Sequence, residues 1–177
     1  IKHQIDLNTK KFREIFGNSF KPKGFFIPEM AYSEKAGKII KDLGFEWLIL
    51  DQIHSPEAKD SSIKYEIENL GLKAIFRNRK FSKSFPPRSI VENFSQIKEE
   101  FLVTAHDGEM YGHWHKDDEG FYEKIFKLED IKNITASKYL EKLSKIKTVK
   151  VREASWESTE EELSESIPFA LWNHPQN

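Results

Sequence analysis

Apolar residues along this chain come in two patterns: short unbroken runs, and stretches in which they return at helical spacing. Gly24-Phe-Phe-Ile27 reads as a buried strand that stops at Pro28-Glu29. Phe45 to Leu50 is a second such run, ending at Asp51, and Phe101 to Ala105 a third, ending ahead of Asp107. Lys64 to Glu68 and Leu72 to Phe76 flank Asn69-Leu-Gly71 and predict a hairpin or two successive strand pieces. Thr148 to Val151 predicts one further strand.

Helical spacing fills the intervals. Thr9 to Phe16 predicts a short helix closed by Gly17. Ser33 reads as the N-cap of a helix carrying Ala36, Ile39, Ile40 and Leu43, stopped by Gly44. Ile90, Phe94 and Ile97 suit another, Ser137 reads as the cap of a helix through Leu143, and Thr159 to Ser166 is acidic and helix-compatible. Phe121 to Phe126 reads as helical or irregular, while Ile53 to Ser62 and the basic stretch Arg77 to Arg88 read as loops.

Strand, helix and strand separated by turn signals predict an α/β protein with a mainly parallel sheet. No repeat of fixed period interrupts that order. In such folds functional groups gather at the carboxyl ends of the strands. Glu29, Asp51, Arg77, Asp107 and Glu153 all stand at or just past a predicted strand end.

Composition narrows the classes. With 177 residues, 38% of them hydrophobic and 32% charged, the chain can bury a core and stay in water. A net charge of -1, from 28 Lys+Arg against 29 Asp+Glu, offers no field for nucleic acid or an anionic membrane. No apolar segment has the length of a membrane span. Cysteine is absent, which excludes disulfide and thiol chemistry and makes a reducing cytoplasm the expected setting.

The chemistry concentrates in Phe101-Leu-Val-Thr-Ala-His-Asp-Gly-Glu-Met-Tyr-Gly-His-Trp-His115 and, upstream, in Gly24-Phe-Phe-Ile-Pro-Glu-Met-Ala-Tyr32. Each delivers a carboxylate at a strand end among aromatic rings, as acid/base work on a sugar requires. Proline before Glu29 and glycine after Asp107 read as devices that aim one side chain. Taken singly, Glu29 reads equally as a helix-start partner and Asp107 as a cap or turn former; as a pair they point to catalysis. Trp114, Trp156, Trp172, Tyr32 and Tyr111 offer stacking faces for pyranose rings, and Arg77 and Arg79 offer cations. His106, His113 and His115 with Asp107 also fit a zinc reading, ranked below hydrogen bonding to sugar hydroxyls.

On these residues the chain resembles glycoside hydrolase family 57, the retaining α-glucan-active enzymes. Gly24-Phe-Phe-Ile-Pro-Glu-Met-Ala-Tyr32 is similar to the family's nucleophile motif, and Ala105-His-Asp-Gly-Glu-Met-Tyr-Gly-His113 to its Asp-Gly-Glu-x-x-Gly motif. The resemblance makes Glu29 the nucleophile and Asp107 the general acid/base. His106, Glu109, Trp114, Arg77, Trp156 and Tyr32 become candidate substrate contacts. Phe76-Arg-Asn78 is similar to a strand-end Phe-Arg-Asp of the family, with Asn78 replacing the acid, and Ser155-Trp156 with Pro168 to Pro175 to its later aromatic segment. The implied fold is part of an irregular (β/α)7 barrel. The implied partner is an oligo- or polysaccharide, with no metal and no cofactor. The family's opening His-Gln-Pro-His strand has no counterpart downstream of Ile1, so the chain is expected to be a partial catalytic domain lacking that strand. Alternatives are a metal-dependent polysaccharide deacetylase, which requires Asp107 and two histidines around zinc, and a carbohydrate-binding module without turnover.

Overall fold

In the computed structural model, which describes residues 1–173, the apolar runs assemble into one five-stranded sheet. Its strands are β1 (Gly24–Phe26), β2 (Trp47–Asp51), β3 (Ile63–Ile67), β4 (Lys73–Arg77) and β5 (Lys145–Val149), in the order β1-β2-β4-β3-β5. β1, β2 and β4 run parallel, β3 returns antiparallel against β4, and β5 pairs parallel with β3. The class expected from the sequence, α/β with a mainly parallel sheet, is the one found. The β3–β4 connection is the hairpin, with Asn69 at φ 60° and Gly71 at φ 62°, and Ile67 N–H donating to Leu72 O at 2.9 Å.

Side chains alternate across the sheet with period two, so each face has its own core. Leu48, Leu50, Ala74 and Phe76 meet Ile5 of α1 (Lys2–Phe16) and Ile40 of α2 (Glu34–Asp42) on one side. On the other, Trp47, Ile49 and Ile75 pack with residues of the later helices and with Phe101 and Val103. Ser33 caps α2 by accepting Ala36 N–H at 3.2 Å. Gly24 lies opposite Trp47 in the parallel ladder, and a Cβ there would fall 2.2 Å from the indole. Only glycine lets that ring cross β1.

Several boundaries differ from the sequence expectation. α1 begins at Lys2 rather than near Thr9. The Arg77 to Arg88 stretch is not all loop. It holds the turn α3 (Arg79–Ser82), capped by Asn78 accepting Phe81 N–H at 3.1 Å, and the start of α4 (Pro86–Asn93). Proline opens α4 without cost because the first helical N–H has no intrahelical partner. After α5 (Phe121–Phe126), Thr135 rather than Ser137 caps α6 (Ala136–Lys142). α7 (Glu160–Ser164) carries a capping box between Thr159 and Glu162.

The largest difference is Phe101 to Ala105, which joins no strand ladder. It lies beside the end of β4, where Asn78 N–H donates to Val103 O at 2.7 Å. Side chains take its other polar groups. Ser61 donates to Phe101 O, Ala105 N–H donates to Ser82 Oγ at 3.3 Å, and Arg77 Nη1 donates to Ala105 O at 2.7 Å. Its apolar residues therefore pack on the sheet face, while its backbone is held by the one bond from Asn78 N–H and otherwise by side chains instead of a strand ladder.

Candidate functional site

The register of the parallel ladder builds the base of the site. Asp51, the last residue of β2, stands opposite Arg77, the last residue of β4. Both are buried, Asp51 fully and Arg77 to 3% exposure. Arg77 Nε donates to Asp51 Oδ2 at 2.5 Å and Arg79 Nη1 to Asp51 Oδ1 at 2.7 Å, so one carboxylate serves two guanidinium groups. Arg79 continues outward, donating from Nη1 to Trp156 O at 2.7 Å and from Nη2 to Ser158 O at 2.6 Å. The guanidinium of Arg77 lies over the Trp156 ring, 4.5 Å from its centroid.

Trp156 hands this arrangement on to Glu29. Its indole Nε1–H donates to Glu29 Oε2 at 2.6 Å, and its backbone N–H to Glu29 O at 3.0 Å. Glu29 is half-buried and sits directly after Pro28 with φ 57° and ψ 12°, and Met30 follows at φ 49°. Two successive non-glycine residues in the left-handed region cost about 1–3 kcal/mol each. The surroundings hold them there. Tyr32 N–H donates to Ala154 O at 2.9 Å, and Met30 is fully buried. His54, also fully buried, places Nε2 2.8 Å from Met30 O and 3.0 Å from Ala154 O, with Nδ1 2.9 Å from Asp51 O. Burial holds His54 below the ordinary imidazole value of 6.5, against the opposing pull of the three carbonyls and the Asp51 carboxylate.

Asp107 enters from the other side. Arg77 grips the chain at Ala105 O, two residues before it. Asp107 stands at the N-cap position of the turn Gly108–Met110, yet its side chain makes no cap bond. Among the described residues its carboxylate accepts no protein hydrogen bond, so the role of cap, which the sequence left open, is not taken up. Gly108 has no positive φ and open space around it, so aiming Asp107 does not depend on glycine there. His106 accepts Asp107 N–H on Nδ1 at 2.9 Å. Its burial, and then the charge of Arg77, push its proton affinity down, so the neutral ring keeps its proton on Nε2 and presents a donor.

The predicted site residues thus divide. Glu29, Trp156 and Arg77 form one chain of contacts, and Arg77 joins it at Ala105 O to the segment that carries His106 and Asp107. Arg77 does this buried and beneath Trp156, which makes it a brace for the two carboxylate segments rather than the expected substrate contact. Tyr32 is 2% exposed and sits in the core, its ring edge-on to His54, and burial raises its hydroxyl to about 12. The stacking role expected of it does not fit that place. Glu109 and Trp114 ride an exposed loop tip, with Trp114 68% exposed and edge-on to His113, while His115 stacks on Phe85 with centroids 4.9 Å apart. Among the described residues no three His, Asp or Glu side chains converge to hold a metal ion, so the zinc arrangement of the deacetylase alternative is not formed. His174 and Pro175 lie outside the described residues.

From the sequence His54 has no role, Asp51 stands only among the strand-end groups, and Arg79 is offered only as a cation for substrate, not as a partner of Asp51. One signal was present: Asp51 and Arg77 close two apolar runs that predict neighbouring parallel strands, and an acid and a base at matching strand ends can pair.

The model of glycosyl hydrolase family 57 matches residues 1–168. A candidate alpha-amylase of Methanocaldococcus jannaschii is 25% identical, the match covering 90% of this chain and 39% of the relative. The solved structure of a 4-alpha-glucanotransferase from Thermococcus litoralis superposes with a TM-score of 0.67 at 20% identity, covering 87% of this chain and 25% of that one. A branching enzyme from Pyrococcus horikoshii gives a TM-score of 0.67 at 19% identity, covering 88% of this chain and 43% of its own. The chain therefore spans well under half the length of these relatives, and its sheet has the fold of a segment of their (β/α)7 barrel.

Proposed function

The chain belongs to glycosyl hydrolase family 57, and on that premise we propose that it acts on α-glucans by retaining double displacement. Glu29 attacks the anomeric carbon while Asp107 protonates the departing glycosidic oxygen. Asp107 then takes a proton from water, or from an acceptor sugar, as that group opens the glycosyl-enzyme. The observation that carries this reading is the held carboxylate of Glu29. A residue in a costly left-handed turn at a strand end, fixed by an indole N–H at 2.6 Å, is an aimed acceptor rather than a solvated one. Trp156 also neutralises part of its charge without a formal cation, leaving the second oxygen available to carbon.

Asp107 complements it, since its carboxylate is free of capping duty and beside a neutral imidazole donor. His106, Glu109 and the exposed Trp114 supply the substrate contacts, His106 and Glu109 to hydroxyls and Trp114 to an apolar sugar face. The retaining mechanism requires the two carboxyl groups to stand roughly 5–5.5 Å apart when substrate is bound. A cytoplasmic setting accompanies the reading, consistent with a chain free of cysteine in which no described helix is long and apolar enough to cross a membrane.

The test is a panel of α-glucans assayed for both free sugar and transfer products. Glu29→Gln and Asp107→Asn are expected to abolish turnover and leave glucan binding intact. Turnover persisting in Glu29→Gln, or inversion at the anomeric centre, would overturn the assignment.

A further inference from the structure

The four residues from Asp51 to His54 are linked, directly or through Arg77, to the segments that carry Glu29, Trp156 and Asp107. The Asp51 carboxylate reaches the Asp107 segment through Arg77. Gln52 Oε1 accepts Arg79 N–H at 3.1 Å. Ile53 O accepts Arg152 Nε–H at 2.7 Å, and His54 O accepts Arg152 N–H at 3.0 Å. The imidazole of His54 goes further than its neighbours. Its Nε2 faces Met30 O, one residue after Glu29, and Ala154 O, two residues before Trp156. A single N–H there bridges the two chain segments whose side chains make the Trp156–Glu29 hydrogen bond.

We propose that His54 is a positioning residue for Glu29, its Nε2–H holding the left-handed Glu29–Met30 turn against residues 154–156. A neutral imidazole carries one N–H. On Nε2 that proton serves two carbonyls; on Nδ1 it serves only Asp51 O, so the Nε2–H tautomer is the one that ties the turn. The ring has Tyr32 edge-on at 6.3 Å and the Asp51 carboxylate nearby, the latter already engaged by Arg77 and Arg79. No sugar contact is required of His54, which is fully buried. The geometric claim stands by itself, while its kinetic consequence rests on Glu29 being the nucleophile.

Two substitutions of similar size separate the two ring nitrogens. In His54→Gln the amide nitrogen falls near the place of Nε2 and keeps a donor for Met30 and Ala154. In His54→Asn it falls near Nδ1 and serves Asp51 alone. The indole N–H resonance of Trp156, identified by its loss in Trp156→Phe, is expected to stay in place in His54→Gln and to move upfield in His54→Asn. Turnover is expected to follow, with kcat lowered about 10- to 100-fold in His54→Asn, KM close to its starting value, and near-normal kcat in His54→Gln. Equal resonances in both variants would overturn the proposal. Should neither variant fold, the unmutated protein decides. The His54 Nε2 proton must then be a slowly exchanging resonance with cross-peaks to the Met30 and Ala154 neighbourhood, and a fast-exchanging proton there overturns the proposal. If Glu29→Gln instead keeps its turnover, the nucleophile assignment fails while the resonances still judge His54.

Discussion

Trp156 meets charge of both signs. Its indole N–H faces the Glu29 carboxylate and its ring lies against Arg77, so one side chain couples the aimed acid to the buried ion cluster. Trp156→Phe removes the Nε1–H donor together with part of a buried ring, and leaves a smaller aromatic face toward Arg77. Losing a hydrogen bond to a charged group, about 1.5–3 kcal/mol, is expected to lower kcat by about 10- to 100-fold. Steady-state kinetics would check the loss of turnover, and a thermal melt beside them is expected to show a lowered midpoint from the lost hydrogen bond and the space the smaller ring leaves. Asp51→Asn acts differently, because it leaves Arg77 and part of Arg79 buried around an uncharged amide. The expected destabilisation is about 3–5 kcal/mol, read from the denaturant midpoint. A change below 1 kcal/mol, on that scale, would show the arginines finding other partners.

At the scale of elements, β1 is three residues long and owes its place to what crosses it. Gly24→Ala puts a methyl where the Trp47 indole already lies, 2.2 Å away, and the ring or the strand must shift. Overpacking of this kind costs about 1–3 kcal/mol, and because β1 leads into Pro28-Glu29 the same change is expected to lower kcat. Gly108→Ala is the matched control. Its site is open and its φ is not positive, so both stability and turnover are expected to hold. The elements also show where the sequence was legible. The Ser33-capped helix, the hairpin at Asn69-Leu-Gly71 and the two parallel strands were readable because caps, positive-φ residues and apolar runs are local signals. Phe101 to Ala105 looked like a strand by the same rule and is not one. Its apolar content says that it is packed, and Ser61, Asn78, Ser82 and Arg77, distant in sequence, decide what its backbone pairs with.

For the whole molecule, pH dependence follows from one fully buried imidazole, His54, and one half-buried, His106. His54 and His106 are both held below the ordinary histidine value of 6.5 by burial. The unfolded chain therefore takes up protons first as pH falls, so these groups leave stability intact above 6.5 and reduce it progressively below that value. Denaturant midpoints measured from neutral pH downward are expected to fall, and His54→Gln to flatten the slope. A midpoint that rises on acidification would contradict a lowered proton affinity in the folded state for both rings. What the sequence determined by itself was local: most of the strands and helices, the places of Glu29 and Asp51 at strand ends, and the motifs that point to Glu29 and Asp107. What only the tertiary structure decided was how those carboxylates are held. The pairing of Asp51 with Arg77, the reach of Arg79 and Arg77 to Trp156, and the bridging of Met30 and Ala154 by His54 join residues up to 100 positions apart. Such contacts depend on strand register and chain return, which spacing along one sequence does not encode. The same physics withdrew Tyr32 and Arg77 from the expected substrate face, because burial is a property of the assembled core and not of the motif a residue belongs to.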